Sequence, residues 1–266
     1  MAITTLDLAL AGMKPPSHYT KAVSGTLVAG RPYTPLYAAG YPGAANAYAG
    51  GLNGTVLTSL AGQIVIPAAS GNTHLARFSG ISSAQGGMLM LCDRLWHNSI
   101  AVTTTGAQSI TSPTWPARDR NGATTGEGVM IGLEISGTVG TGTATPAIVY
   151  TNTTPTGSRA GAMLITYVAS SLIGTFYPFT LAAGDTGVKS VESVTLSVSM
   201  TSGTAGLVAY RVLATLELAA AGIPNAIDAL TAGLPRCYDT TVPFLIYVPT
   251  TTTTTQLSGA CIFTQG

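Results

Sequence analysis

Charge is what this sequence has least of. Its 266 residues include 11 Lys and Arg and 10 Asp and Glu, 8% in all, with a formal net charge of +1; ordinary globular proteins carry about 25%. A near-neutral chain lacks the basic stripe that displaces counterions from phosphates, so direct nucleic-acid binding is not expected. Intrinsic disorder is also disfavoured, because it goes with high charge and low hydrophobicity, and here 46% of residues are hydrophobic.

Long uninterrupted apolar runs are missing as well. The greasiest stretch, Gly206 to Gly222, is broken by Arg211 and Glu217, which excludes it as a spanning helix. Five Phe and two Trp scarcely supply the aromatic girdles of an outer-membrane barrel. Met1 to Lys14 has no basic leading region and carries Asp7 in its apolar run; no signal peptide and no membrane partner are expected. Cysteine is limited to Cys92, Cys237 and Cys261. An odd number without CxxC spacing gives no disulfide framework and no zinc knuckle, and predicts three reduced thiols in a cytoplasmically made protein.

The same poverty of charge yields the first positive inference. A soluble monomer usually carries charge at about 25–35% of its surface positions, a figure this chain cannot reach with every charge outside. Much of the surface is therefore expected to be covered by copies of itself or by other subunits. The bland alternative is a monomer solvated by Thr, Ser and Asn.

What is abundant points to strands and turns: 41 Thr, 32 Gly and 15 Pro. The sequence predicts a mainly β fold, an antiparallel β-sandwich or jelly-roll-like domain with an extended N-terminal arm and one or two short helices. Residues 1–60 form the expected arm and residues 61–266 the sandwich. Five of the eleven tyrosines, Tyr19, Tyr33, Tyr37, Tyr41 and Tyr48, fall in the arm among Pro and Gly. Such spacing argues against a central strand or a helix and for a segment lying extended over a neighbour, its Tyr rings buried and their hydroxyls wet. Thr4 to Gly12 reads as a short helix with a Thr cap and a terminal Gly.

Short apolar runs between turn signals predict strands at 63–66, 74–78, 88–96, 100–104, 129–135 and 147–150. Others are predicted at 163–168, 175–180, 188–200, 207–218, 244–248 and 257–263. Pro224 to Gly233 predicts a second helix. No fixed-period repeat is present.

Few constellations carry chemistry. Cys92-Asp93-Arg94-Leu95-Trp96-His97-Asn98 is the densest polar cluster, and Cys92 with His97 could be nucleophile and base. In an extended run those two alternate to opposite faces, so the cluster predicts a strand ending in a turn, with Asp93 and Arg94 paired to neighbours or main chain. Trp115 to Gly122 holds two Arg and an Asp ahead of Asn-Gly. Trp115, Arg118, Asp119 and Arg120 are candidates for a contact between subunits, a solvated loop being the alternative. His18, His74 and His97 lack ligand spacing, so no metal is expected. Glu127 and Glu134 stand over 20 Å apart on a strand by its ordinary rise of about 3.3 Å per residue, too far for a glycosidase pair. No catalytic residue, cofactor or enzyme activity is expected.

Leu91 to Ser99, Thr114 to Asp119, Leu181 to Val188, the ending from Val242 to Gly266 and the opening Met1 to Asp7 resemble a family of structural (virion) proteins of tailed bacteriophages and prophages. The resemblance runs over most of the chain. It implies a virion protein assembled in the host bacterial cytoplasm and leaves its place in the virion open. Joined to the residue reading, it gives a leading expectation of a capsid-associated cement or decoration protein. Its partners would be itself, as a homo-oligomer, and other virion proteins such as the major capsid protein. Cement proteins are often trimers, but nothing in the sequence counts subunits. On this expectation, deleting residues 1–50 abolishes capsid binding. The alternative is a tail or neck component, a ring or tail-decorating subunit. A host-glycan-binding fibre module is a third, for which Trp115 is the one aromatic candidate and glycan-array binding the test.

Overall fold

A run of alternating residues can bury only one face of a strand, and this chain pairs such runs into three antiparallel sheets. A computed structural model describes residues 3–23 and 25–266; Met1, Ala2 and Ser24 lie outside the described residues. In chain order the elements are α1 (Leu6–Ala11), β1 (Ser17–Val23), β2 (Gly40–Tyr41), β3 (Thr55–Val56), β4 (Thr73–Ser82), β5 (Gly87–His97), β6 (Ala107–Ser109) and β7 (Met130–Gly137). Then follow β8 (Pro146–Asn152), β9 (Arg159–Ala162), β10 (Phe176–Pro178), β11 (Val188–Leu196), β12 (Thr204–Leu218), β13 (Asn225–Asp228), α2 (Ala229–Ala232), β14 (Arg236–Cys237), β15 (Pro243–Pro249) and β16 (Thr255–Gln265).

The first sheet runs β13-β4-β16-β1-β2, with β14 also on β4; the central sheet runs β10-β7-β12-β5-β15, with β3 also on β5; the third runs β6-β11-β8-β9. The central sheet organises the rest. Leu89, Leu91, Leu213 and Leu245 from one end of it pack with Tyr19, Phe78 and Phe263 of the first sheet. Leu95, Ile131, Leu133 and Leu207 from its other end pack with Ile148, Val191 and Val194 of the third. Its opposite face holds Cys92, Val208, Tyr210, Phe244 and Ile246, covered by Leu36 and Ala45 from the N-terminal segment. The architecture is a mainly β, antiparallel sandwich with two short helices, in keeping with the sequence expectation.

The N-terminal segment differs from the sequence reading. It was expected to hold no central strand, yet β1 lies between β16 and β2, in register from Ser17 opposite Cys261 to Val23 opposite Thr255. Tyr19, Lys21 and Val23 face inward and are buried. Lys21 Nζ reaches the carbonyls of Ala38 (3.3 Å) and Gly43 (3.0 Å), and burial lowers its pKa to about 8. The accessible area is 10652 Å², against about 10,800 Å² for a compact chain of this mass. The segment is thus folded down on the rest of its own chain.

Three predicted strands are replaced by other structure. Residues 63–66 run beside the central sheet with the Ile64 amide on Pro243 O (3.0 Å), and Pro67 ends any ladder. Ile100 makes a single bridge to Ala205; after it the Gln108 amide serves both the N–H and C=O of Ala101, at 2.8 and 2.9 Å, in place of a neighbouring strand. Met163 bridges only Phe179. The predicted helix at 224–233 divides: Asn225–Asp228 joins β4 as a strand, and the Asp228 side chain then caps the single turn α2, which Gly233 closes at φ +69°.

Candidate functional site

The polar residues that stand out in the sequence converge on β5. Arg94 leaves its outer face and forms paired hydrogen bonds to Glu134 of β7, Nη1 to Oε1 at 2.7 Å and Nη2 to Oε2 at 2.6 Å. The Tyr37 hydroxyl donates to the same Oε2 at 2.7 Å; burial first, and the Glu134 charge second, push that phenol well above its ordinary pKa. Arg94 Nη2 also donates to His97 Nδ1 at 3.1 Å, so this nitrogen is the acceptor and the ring proton sits on Nε2. The Tyr48 ring packs on His97 with centroids 4.0 Å apart. Burial, then the Arg94 charge, lower the His97 pKa to about 3.

The β5–β12 register shifts between Trp96 opposite Ala209 and Arg94 opposite Tyr210, leaving Leu95 unpaired in a bulge. The bulge corrects the expected alternation: it turns His97 to the side of Arg94 and Cys92. A nucleophile–base pair still does not follow, because His97 Nδ1 is occupied by Arg94 and burial pushes the Cys92 thiol far up.

Asp93 points to the other face, at the junction of the two large apolar clusters. It accepts from Arg118 Nε at 3.0 Å and from the Val242 amide at 3.0 Å, and Arg211 Nε lies 3.5 Å away. Arg118 also donates to Arg94 O (2.9 Å) and Thr240 Oγ1 (3.0 Å). Asp119 gathers its own loop, accepting from the amides of Asn121, Ala123, Gly126 and Glu127 and from Thr125 Oγ1. Burial opposes ionisation there, but these donors prevail and hold the carboxyl below its ordinary pKa. Asp185, within the resemblance segment Leu181 to Val188, likewise binds Arg159, Tyr150 and Asn152, which lower it to about 2.

These placements reassign most of the predicted contact residues. Tyr19, Tyr33, Trp115, Arg118 and Asp119 are buried within the single chain. Trp115 donates to Val188 O at 2.7 Å and packs on Trp96 at 5.4 Å, so it is neither an interface anchor nor a sugar platform. Tyr37 and Tyr48 are half-buried against Glu134 and His97 of their own chain. Tyr41, stacked on His18 at 4.8 Å, and Arg120, 3.8 Å from Glu127, are exposed. The sequence did not flag Arg211 or Lys21 as buried partners; charge at an inward strand position was the available signal.

The N-terminal segment is tied to β5 by more than packing. Trp96 Nε1 donates to Asn53 O (2.9 Å), Asn98 Nδ2 to Leu52 O (2.8 Å) and the Leu57 amide to Leu95 O (2.9 Å). Between residues 23–38 of the same segment and the loops at 165–173 lie two apolar depressions. One, of about 180 Å³, is lined by Val23, Leu27, Pro35, Leu172 and Ile173; the other, of about 250 Å³, by Val28, Arg31, Ile165 and Val168. Among the described residues no three His, Cys, Asp or Glu side chains are grouped to hold a metal, and no helix is long and apolar enough to cross a membrane.

No family model and no curated protein matches the chain. Among solved structures it is similar to the infectious bursal disease virus VP2 subviral particle, at 9% identity and TM-score 0.21 over 100% of this chain and 83% of that one. T=1 particles derived from that virus give 9% and 0.19 over 96% and 79%, and its Gx strain gives 11% and 0.19 over 94% and 81%. These scores lie below the range in which two chains share a fold.

Proposed function

We propose that this chain is a structural, non-catalytic subunit of a tailed-bacteriophage virion, in its leading form a capsid-associated cement or decoration protein. The observation that carries the reading is where the charges go. Seven of the 21 charged side chains, Lys21, Asp93, Arg94, Arg118, Asp119, Glu134 and Arg211, are buried. The Asp185 side chain is only 4% exposed as well, so the surface is left with thirteen at most, fewer than the composition alone implied, while Leu6, Leu10, Leu164, Ile173 and Leu230 are exposed. Such a surface suits coverage by neighbouring subunits. The resemblance of Leu91 to Ser99 and Thr114 to Asp119 to virion proteins supports the same reading, since these segments build the buried β5 network and therefore the fold.

A catalytic role has little support. The acids of the β5 network are paired with arginines, and burial raises all three thiols, Cys237 to about 12. A neck or tail ring makes the same demand on the surface and is the alternative position. Quantitative mass spectrometry of gradient-purified particles tests the proposal. Copies in the hundreds per particle support the head-shell role, a dozen or a few dozen support the neck or tail, and absence from particles overturns the reading.

A further inference from the structure

α1 is held by its narrow side. Gly12 sits so close to Gln265 O that a Cβ there would lie 2.1 Å from it, the Gln265 amide donates to Gly12 O at 3.0 Å, and Thr264 Oγ1 donates to Ala9 O. Small residues thus face β16, and no residue of the helix is buried. Leu6 and Leu10, one turn apart on one face of the helix, are 73 and 59% exposed, and Met13, just beyond its C-cap, is 41% exposed. Asp7 borders this stripe and has no ion-pair partner among the described residues. Lys14 is turned away onto Ser70 Oγ at 3.3 Å.

The depression lined by Val28, Arg31, Ile165 and Val168 is the complement: apolar, open, and with Arg31 as its one charge. The segments 22–30 and 162–175 that surround it contain no charged residue. Arg31 lies over the Tyr177 ring, 5.9 Å from its centroid, and among the described residues has no carboxylate partner. The helix cannot reach this depression in its own subunit. Met13 bridges Thr264 at one end of β16, whereas Val23, at the edge of the loop leading to Arg31, pairs with Thr255 at the other. Nine strand residues separate the two by about 30 Å.

We propose that α1 of one copy docks into the depression beside Arg31 of a second copy, Leu6 and Leu10 entering the apolar hollow and Asp7 pairing with Arg31. The proposal rests on the reading of the chain as an assembly subunit and names the surface it uses. Because the two surfaces are different and lie at opposite ends of the subunit, the contact is heterologous and runs head to tail. One six-residue helix is a small interface, so it acts as one of several contacts and is weak when alone.

The test is sedimentation of the full chain over a concentration series with Asp7→Arg, Arg31→Asp and the double variant, each checked for an unchanged melting temperature. Concentration-dependent association, weakened roughly tenfold by either single reversal and restored in the double, is the expected result. Single reversals without effect, or a double variant that stays weak, overturn it. Oxidised mixtures of Leu10→Cys and Val168→Cys chains give an independent reading, since the native thiols are buried. Linked dimers only in the mixture support the contact, and none in the mixture contradicts it. A chain monomeric at all concentrations yet present in particles overturns this contact alone; absence from particles overturns the structural reading instead.

Discussion

Arg94 and Glu134 face each other through two hydrogen bonds of 2.6 and 2.7 Å, both side chains almost wholly shielded from water. The pair joins β5 to β7 beneath the N-terminal segment, and Tyr37 from that segment completes the carboxylate's coordination. Removing one partner leaves a buried charge uncompensated. Glu134→Ala should therefore cost about 3–5 kcal/mol, read as a fall in the denaturant midpoint. Arg94→Met with Glu134→Leu should cost clearly less than either single change, and Tyr37→Phe only about 0.5–1.5 kcal/mol.

Asp93 holds two guanidiniums, those of Arg118 and Arg211, where the two large cores meet. Asp93→Asn leaves both cations buried without their counter-charge, and a loss of about 3–5 kcal/mol is expected. Calorimetry checks it; a variant melting within a degree of the parent contradicts the assignment.

His97 fixes the sign of the pH dependence near neutrality. Its folded pKa, about 3, lies below the ordinary 6.5, so between those values the unfolded chain binds the extra proton. The His97 contribution should be fully present above pH 6.5 and fall as pH drops, by up to about 1.4 kcal/mol per pH unit. His97→Gln should flatten the slope between pH 6.5 and 5, measured by urea midpoints.

Tyr19 distinguishes an integral segment from a detachable arm. It is buried among Phe78, Leu89 and Leu257 and donates to Ser79 O at 2.9 Å. Tyr19→Ala should cost about 3–5 kcal/mol. For the same reason deletion of residues 1–50 removes a strand from the first sheet, and loss of capsid binding by that deletion would reflect unfolding.

Much of the fold was legible in the sequence. β5, β12 and β16 announced themselves by length and apolar density, and α1 by its Thr5 cap, which accepts from the Leu8 amide. β1 was hidden because a lysine occupies an inward position: Lys21 is accommodated by two carbonyls contributed by residues 38 and 43, and no local pattern reports such distant partners. The second helix is shorter than the sequence suggests because Asp228 caps it and is not an interior residue. Trp115 and Arg118 looked like contact residues since aromatic and Arg side chains favour interfaces; their partners, Val188 O and Asp93, are remote in sequence. Asp93 and Arg94 were expected to pair with neighbours or main chain; their carboxylate and guanidinium partners are instead Arg118 and Glu134, distant in sequence, and the bulge at Leu95 that brings His97 to Arg94 leaves no local signal.

On the proposed reading, neighbouring copies cover the charge-poor surface. Cryo-electron microscopy of the intact particle tests it most directly. Copies set side by side in a shell or ring are expected, each burying more than about 1,000 Å² in contacts with its neighbours. Isolated copies, each touching the particle through one small patch with α1 and the Arg31 depression open to solvent, would contradict it.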